Sequence, residues 1–176
     1  MKDFIRPALV LLVICLISGA ILAFIYQQTA PLIAENKLKA EEAARILVMP
    51  DAEFFKPVSD SSEVLYYEGY NADSTLVGYI FSCVQYGYSS DVKTIVGLTP
   101  ELMINAITVV SQAETPGLGA NCTREDFTAQ FTGKNPDNIY VDKDGGDIQS
   151  LTGATITTRA VTNAIRETFQ KLRDRL

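Results

Sequence analysis

The sequence predicts an α+β chain in which a transmembrane helix and a stalk helix lead into an antiparallel-sheet domain that ends in a C-terminal helix. Three observations predict it. Residues 7–26 form an uncharged apolar run; β-branched and aromatic residues gather in short runs between Val64 and Val110; and from Arg159 onward apolar residues recur at helical spacing. Strands in succession followed by a helix laid on them is the α+β pattern.

Length sets the first element. No charged residue lies between Arg6 and Glu35, and residues 7–26, at ~1.5 Å per helical residue, reach the ~30 Å of a bilayer core. A cleaved signal peptide has a shorter apolar core, ~7–15 residues, before a small-residue cleavage site. Here the run ends Phe24-Ile25-Tyr26-Gln27-Gln28, and Val13-Ile14 precede Cys15 where a lipoprotein signal needs small residues. A retained single-pass span is expected behind a cytoplasmic tail of residues 1–6. Lys2 and Arg6 make that tail positive, whereas Lys37, Lys39 and Arg45 are mixed with Glu35, Glu41 and Glu42. The positive-inside rule therefore places the tail in the cytoplasm and the domain outside the inner (plasma) membrane. Cys15, Gly19 and Ala23 form a small-residue stripe, read either as a helix-packing face or as ordinary tolerance of small residues in a span.

Residues 27–50 are expected to form the stalk helix, with Leu32, Ile33, Ala40, Ala43, Ala44 and Leu47 near one face and Pro50 ending it. The domain, 51–176, opens on a predicted loop at 51–63, where Pro57 and Ser59-Asp60-Ser61-Ser62 stand. Strands are predicted at 64–67, 76–84, 94–96 and 107–110. The short breaks between them predict an antiparallel meander. Tyr66, Tyr67, Tyr70, Tyr79, Phe81, Tyr86 and Tyr88 fall in this half, suited to packing the sheet and, singly, to stacking on a flat ligand. A short helix at 123–131, a turn at 133–137 and a strand at 139–141 closed by Asp142-Lys143-Asp144-Gly145-Gly146 complete the pattern.

The last helix follows a hydroxyl-rich turn, Ser150-Leu151-Thr152-Gly153-Ala154-Thr155-Ile156-Thr157-Thr158. Val161, Ala164, Ile165, Phe169, Leu172 and Leu176 mark one face. Arg166, Lys171, Arg173 and Arg175 load the end where the helix dipole is negative, so the start is expected near Thr155 to Thr158. A helix start leaves N–H groups unpaired and is a place for a phosphate. Gly153 permits close backbone approach, Ala154 adds no bulk, and Thr152, Thr155, Thr157 and Thr158 offer hydroxyls that can bond an anion or be esterified. The same residues also suit an ordinary cap with solvent-facing hydroxyls. A second turn, Glu114-Thr115-Pro116-Gly117-Leu118-Gly119, has the Pro-Gly centre of a type II turn. It can set backbone groups against a flat ligand's polar edge with Leu118 on its face, or be an ordinary turn with Glu114 as a surface carboxylate.

Composition excludes several classes. The chain has no histidine, which removes Ser-His-Asp and Cys-His nucleophile systems and histidine metal ligation. Its three cysteines, Cys15, Cys83 and Cys122, form no C-x-x-C pair, so no metal or iron–sulfur site is expected. Cys83 and Cys122 pair if the domain faces an oxidising compartment, or stay as separate thiols. A net charge of −6, with no basic run interleaved with aromatics, argues against nucleic-acid binding. There is no G-x-G-x-x-G dinucleotide fingerprint.

Thr152-Gly153-Ala154-Thr155-Ile156-Thr157 resembles the Ser/Thr-Gly-Ala-Thr-x-Ser/Thr signature of the FMN-binding domain in RnfG, a component of the Rnf ion-translocating oxidoreductase, and in the related NqrC of the sodium-pumping NADH:quinone oxidoreductase. Glu114 to Gly119 matches the same family's Glu-Thr-Pro-Gly-Leu-Gly loop. The short chain favours the Rnf member. Where relatives often carry a histidine before that loop, this chain reads Ser111-Gln112-Ala113, and a proton-transfer role there is not carried over. The resemblance implies FMN joined through its phosphate to Thr155, with Thr152, Gly153, Ala154, Thr157 and Thr158 around the phosphate and Glu114, Thr115, Gly117 and Leu118 at the flavin. It further implies a flavin transferase using FAD and Mg²⁺, and an electron-carrying role, without a catalytic site of its own, in a membrane complex that couples ferredoxin:NAD electron transfer to ion pumping. Two other readings compete: a membrane-anchored extracytoplasmic assembly protein without cofactor, and a flavin-based redox sensor.

Overall fold

A computed structural model describes residues 2–60 and 63–176. Met1 of the predicted tail and Ser61 and Ser62 of the predicted loop lie outside them. The span and the stalk are one continuous helix, α1 (Lys2–Val48), with Pro7 and Pro31 inside it. Residues up to Ala40 form one contact unit and Glu41–Leu176 another. In the first, apolar side chains such as Leu12, Leu16 and Leu22 point outward, as an anchor in lipid requires.

The second unit is built on a five-stranded antiparallel meander in the order β1-β2-β3-β4-β5. The strands are β1 (Phe54–Asp60), β2 (Glu63–Tyr70), β3 (Leu76–Tyr86), β4 (Asp91–Leu98) and β5 (Ile104–Ser111). The four predicted strands all fall on β2 to β5. The predicted loop at 51–63 is corrected: most of it is β1, paired to β2 with Pro57 opposite Tyr67. Proline is tolerated there because β1 is an edge strand, where an absent N–H breaks no inner ladder.

One sheet face carries Phe81, Cys83, Val96, Leu98 and Ile107 against Val161, Ile165 and Phe169 of α3 (Thr155–Leu172), with Phe127 and Phe131 filling the gap. On the other face Ile80 and Ile95 pack against Ala44, Val48, Met49 and Ala52. The end of α1 is thus a second covering layer. Gly97 admits it: a Cβ there would lie 2.6 Å from the Val48 carbonyl oxygen, which accepts from Asn105 Nδ2 at 2.8 Å.

Between β5 and α3 the chain is short turns. The predicted helix at 123–131 is α2 (Glu125–Thr128) flanked by 3₁₀ turns. The predicted strand at 139–141 is not formed; a single parallel bridge joins Val141 to Ile148. Ile139 and Val141 are each 1% exposed, so their burial alternates as in a strand, but the pairing stops at that one bridge.

Candidate functional site

Local hydrogen bonds hold the threonine turn in place. Ser150 donates to Asp142 Oδ1 through its N–H, at 3.0 Å, and through its hydroxyl. That hydroxyl is the main reason the Asp142 carboxyl falls to about 2. The Ala154 N–H donates to the Leu151 carbonyl at 2.9 Å, closing a turn in which Gly153 has φ of +73°. Side chains disfavour that conformation and glycine accepts it. α3 then begins at Thr155 with Ala154 as its cap residue, which brings no side-chain hydrogen bond to the helix start. The helix start is therefore without a side-chain cap, with the positive end of the dipole behind it.

The second turn folds as its Pro-Gly centre predicts. Leu118 N–H donates to the Thr115 carbonyl at 3.1 Å and Gly117 has φ of +79°. Glu114 departs from the surface-carboxylate alternative: it is 5% exposed. Its carboxylate accepts from the backbone N–H groups of Tyr88 at 3.1 Å, Ser89 at 3.0 Å and Ser90 at 3.0 Å, and from the Thr157 hydroxyl at 2.6 Å. Burial alone would raise this carboxyl, but the Thr157 hydroxyl and the Ser89, Tyr88 and Ser90 amides outweigh it and bring it to about 2. It is an ionised strut tying the β3–β4 turn, its own loop and the start of α3 together. Two glycines make room for it, since a Cβ on Gly87 or Gly119 would come within 2.8 or 2.7 Å of its oxygens.

The two motifs share one cleft of about 590 Å³, walled by Tyr88, Glu114, Leu118, Gly153, Thr155 and Ile156. That volume lies within the ~300–1,000 Å³ typical of small-molecule sites. Tyr88, Leu118 and Ile156 expose 67%, 42% and 51% of their surface, giving an apolar rim beside the open helix start. Thr115, Ala154 and Thr157 also border the cleft; Gly117 and Thr158 do not. Thr152 faces a separate, polar cleft with Gln130, Lys134 and Gln149. The Thr157 and Thr158 hydroxyls are fully buried, whereas Thr155 is half-buried. A cavity of about 160 Å³ by Arg45, Tyr66 and Phe81 lies away from both motifs. Sequence reasoning missed the Ser89 and Ser90 amides, because the ligating groups are backbone. The only signal was the Gly87-Tyr88-Ser89-Ser90 break, a sequence suited to an anion-holding nest.

An anion-ready helix start, an apolar rim and a cleft of this size fit a flat phosphorylated ligand. Residues 87–170 match the family model described as the FMN-binding domain, and residues 1–45 match the RnfG N-terminal region. The chain is 32% identical over 165 residues to the RnfG-type component of the proton-translocating ferredoxin:NAD(+) oxidoreductase complex of Clostridium ljungdahlii, covering 92% of this chain and 88% of that one. The chain belongs to the RnfG family of ion-translocating oxidoreductase complexes. The corresponding component of the Na(+)-translocating ferredoxin:NAD(+) oxidoreductase complex of Acetobacterium woodii is 30% identical over 190 residues, covering 96% of this chain and 91% of the relative. Two solved NqrC-type structures share the fold of this chain: NqrC of Shewanella oneidensis, at TM-score 0.53, 18% identity and 73% and 72% coverage, and its counterpart from the Na(+)-translocating NADH-quinone reductase of Parabacteroides distasonis, at TM-score 0.54, 22% identity and 61% and 60% coverage. The assignment made on the two motifs holds, and with it the FMN-binding, electron-transfer character of the domain.

Proposed function

We propose that this chain is the extracytoplasmic, electron-carrying subunit of a ferredoxin:NAD ion pump and holds FMN as a phosphoester on Thr155. The observation that carries the proposal is the uncapped start of α3, which opens at Thr155 onto the cleft bordered by the Glu114 loop. The first-turn N–H groups and the helix dipole neutralise a phosphate there. Leu118, Tyr88 and Ile156 offer apolar surface to a ring, and the buried Glu114 keeps the two walls in register. FMN supplies the electron chemistry; the protein supplies position and electrostatics. An ester suits a compartment without a flavin pool, since even micromolar binding, ~8 kcal/mol, is lost on dilution. The chain requires a flavin transferase using FAD and Mg²⁺, and the ferredoxin and NAD sites belong to other subunits.

Cys83 and Cys122 are free and buried. Burial raises both thiols, Cys122 to about 11. Thiols so held have little thiolate and resist oxidation, which is compatible with exposure to an oxidising compartment.

Purification from membranes tests the role. The expected result is co-purification of multi-span partner subunits with a chain that is yellow and flavin-loaded; a flavin-free chain purified alone contradicts it. Orientation has its own test. Tyr86 is 63% exposed, so Tyr86→Cys is expected to react with a membrane-impermeant maleimide in intact spheroplasts. Labelling only after lysis would reverse the orientation.

A further inference from the structure

At the head of α3 two hydroxyls are shut inside the protein. Thr157 is 0% exposed and donates to Glu114 Oε2 at 2.6 Å. Thr158, also 0% exposed, donates to the Ala154 carbonyl and accepts from the Leu151 N–H, both at 3.1 Å. Thr155, first residue of the helix, lines the cleft, and Thr152 faces the other one.

We propose that Glu114 determines which threonine is modified: by holding the Thr157 hydroxyl inside the domain, it confines the phosphoester to Thr155. The inference rests on the ester reading above. In the transfer, Thr155 Oγ forms a bond to the FMN phosphorus of FAD. The pyrophosphate P–O bond breaks, AMP leaves with the electron pair, and the hydroxyl proton passes to a base of the transferase. A threonine can take part only if its oxygen reaches phosphorus.

Three features make Glu114 a lock and not an activating base. A carboxylate at about 2 is a weak proton acceptor near neutral pH. Its remaining capacity is taken by the amides of Tyr88, Ser89 and Ser90, and Gly119 packs so tightly on both groups that a Cβ there would sit 2.7 Å from each. Thr157 nonetheless borders the cleft, and threonine in a helix has two accessible χ1 rotamers. Releasing it from Glu114 frees its hydroxyl to turn toward the cleft that it borders. Thr158 has no such release, because the turn's own backbone holds it.

The test is site mapping by fragmentation mass spectrometry of the full chain co-expressed with a flavin transferase. Wild type should carry flavin on Thr155 alone, Thr155→Ala should carry none, and Thr155→Ala with Glu114→Ala should gain it on Thr157. Flavin on Thr157 or Thr158 in the Thr155→Ala single variant overturns the proposal, as does a folded double variant unlabelled at Thr157. An unlabelled Thr155 in wild type refutes the ester reading itself, a separate result. Should the double variant not fold, cysteine reactivity decides in a Cys15→Ser background. Thr155→Cys should react with a soluble thiol reagent and Thr157→Cys only on unfolding, and equal reactivity of the two overturns the proposal.

Discussion

Thr155→Ala is expected to remove all flavin that survives denaturation while leaving the fold in place. Thr155 is half-buried at the first position of α3, and among the described residues its hydroxyl makes no hydrogen bond. Removing it opens no core cavity and orphans no partner, so the stability change should stay within about 0.5 kcal/mol, as for surface substitutions generally. Covalent flavin depends wholly on the oxygen that is lost. Thr155→Ser restores that oxygen and should restore the fluorescent band seen under ultraviolet light after denaturing electrophoresis. A band of wild-type intensity in Thr155→Ala would place the ester elsewhere.

Glu114→Ala should act on the fold as strongly as Thr155→Ala acts on the cofactor. It leaves the Tyr88, Ser89 and Ser90 amides without their acceptor; unsatisfied buried donors cost ~1–3 kcal/mol each, so with partial rescue by water a loss of about 3 kcal/mol is expected. The same residue gives a pH signature. Its carboxyl lies at about 2 in the folded chain against an ordinary 4.5. A lowered carboxyl stabilises the fold fully above the ordinary value, and that contribution is lost as pH falls through the folded value. Wild type should therefore lose stability between pH 4.5 and about 2, and Glu114→Gln should lack that component. Denaturant melts of both proteins across that range check it, and parallel curves would show that Glu114 is not the buried carboxylate responsible.

The elements legible in the sequence were those whose signal is local. Val161, Ile165 and Phe169 repeat at helical spacing and all three are buried in α3, so its face and start were readable. Pro116-Gly117 fixed its turn through a single backbone preference. What was not legible depends on partners distant in sequence. Ala44 looks like part of the face of a free stalk together with Leu47, but Leu47 is exposed, and only Ile80 and Ile95 make Ala44, with Val48, a layer of the domain. β1 was hidden because an edge strand with an exposed face can carry Lys56, Pro57 and Ser59. In the site, Thr155 was readable from the helix start and the motif. The inward commitment of Glu114 was not, since three of its donors are amides 24 to 26 residues earlier in the chain. Nor did four threonines in one turn reveal that two of them face inward.

The most direct test of a covalent flavoprotein is the mass of the wild-type chain, matured with its transferase, after denaturation and removal of free flavin. The expected result is a gain of one FMN less one water, carried on the tryptic peptide that ends at Arg159. An unmodified chain, with its flavin recovered in the supernatant, would contradict it.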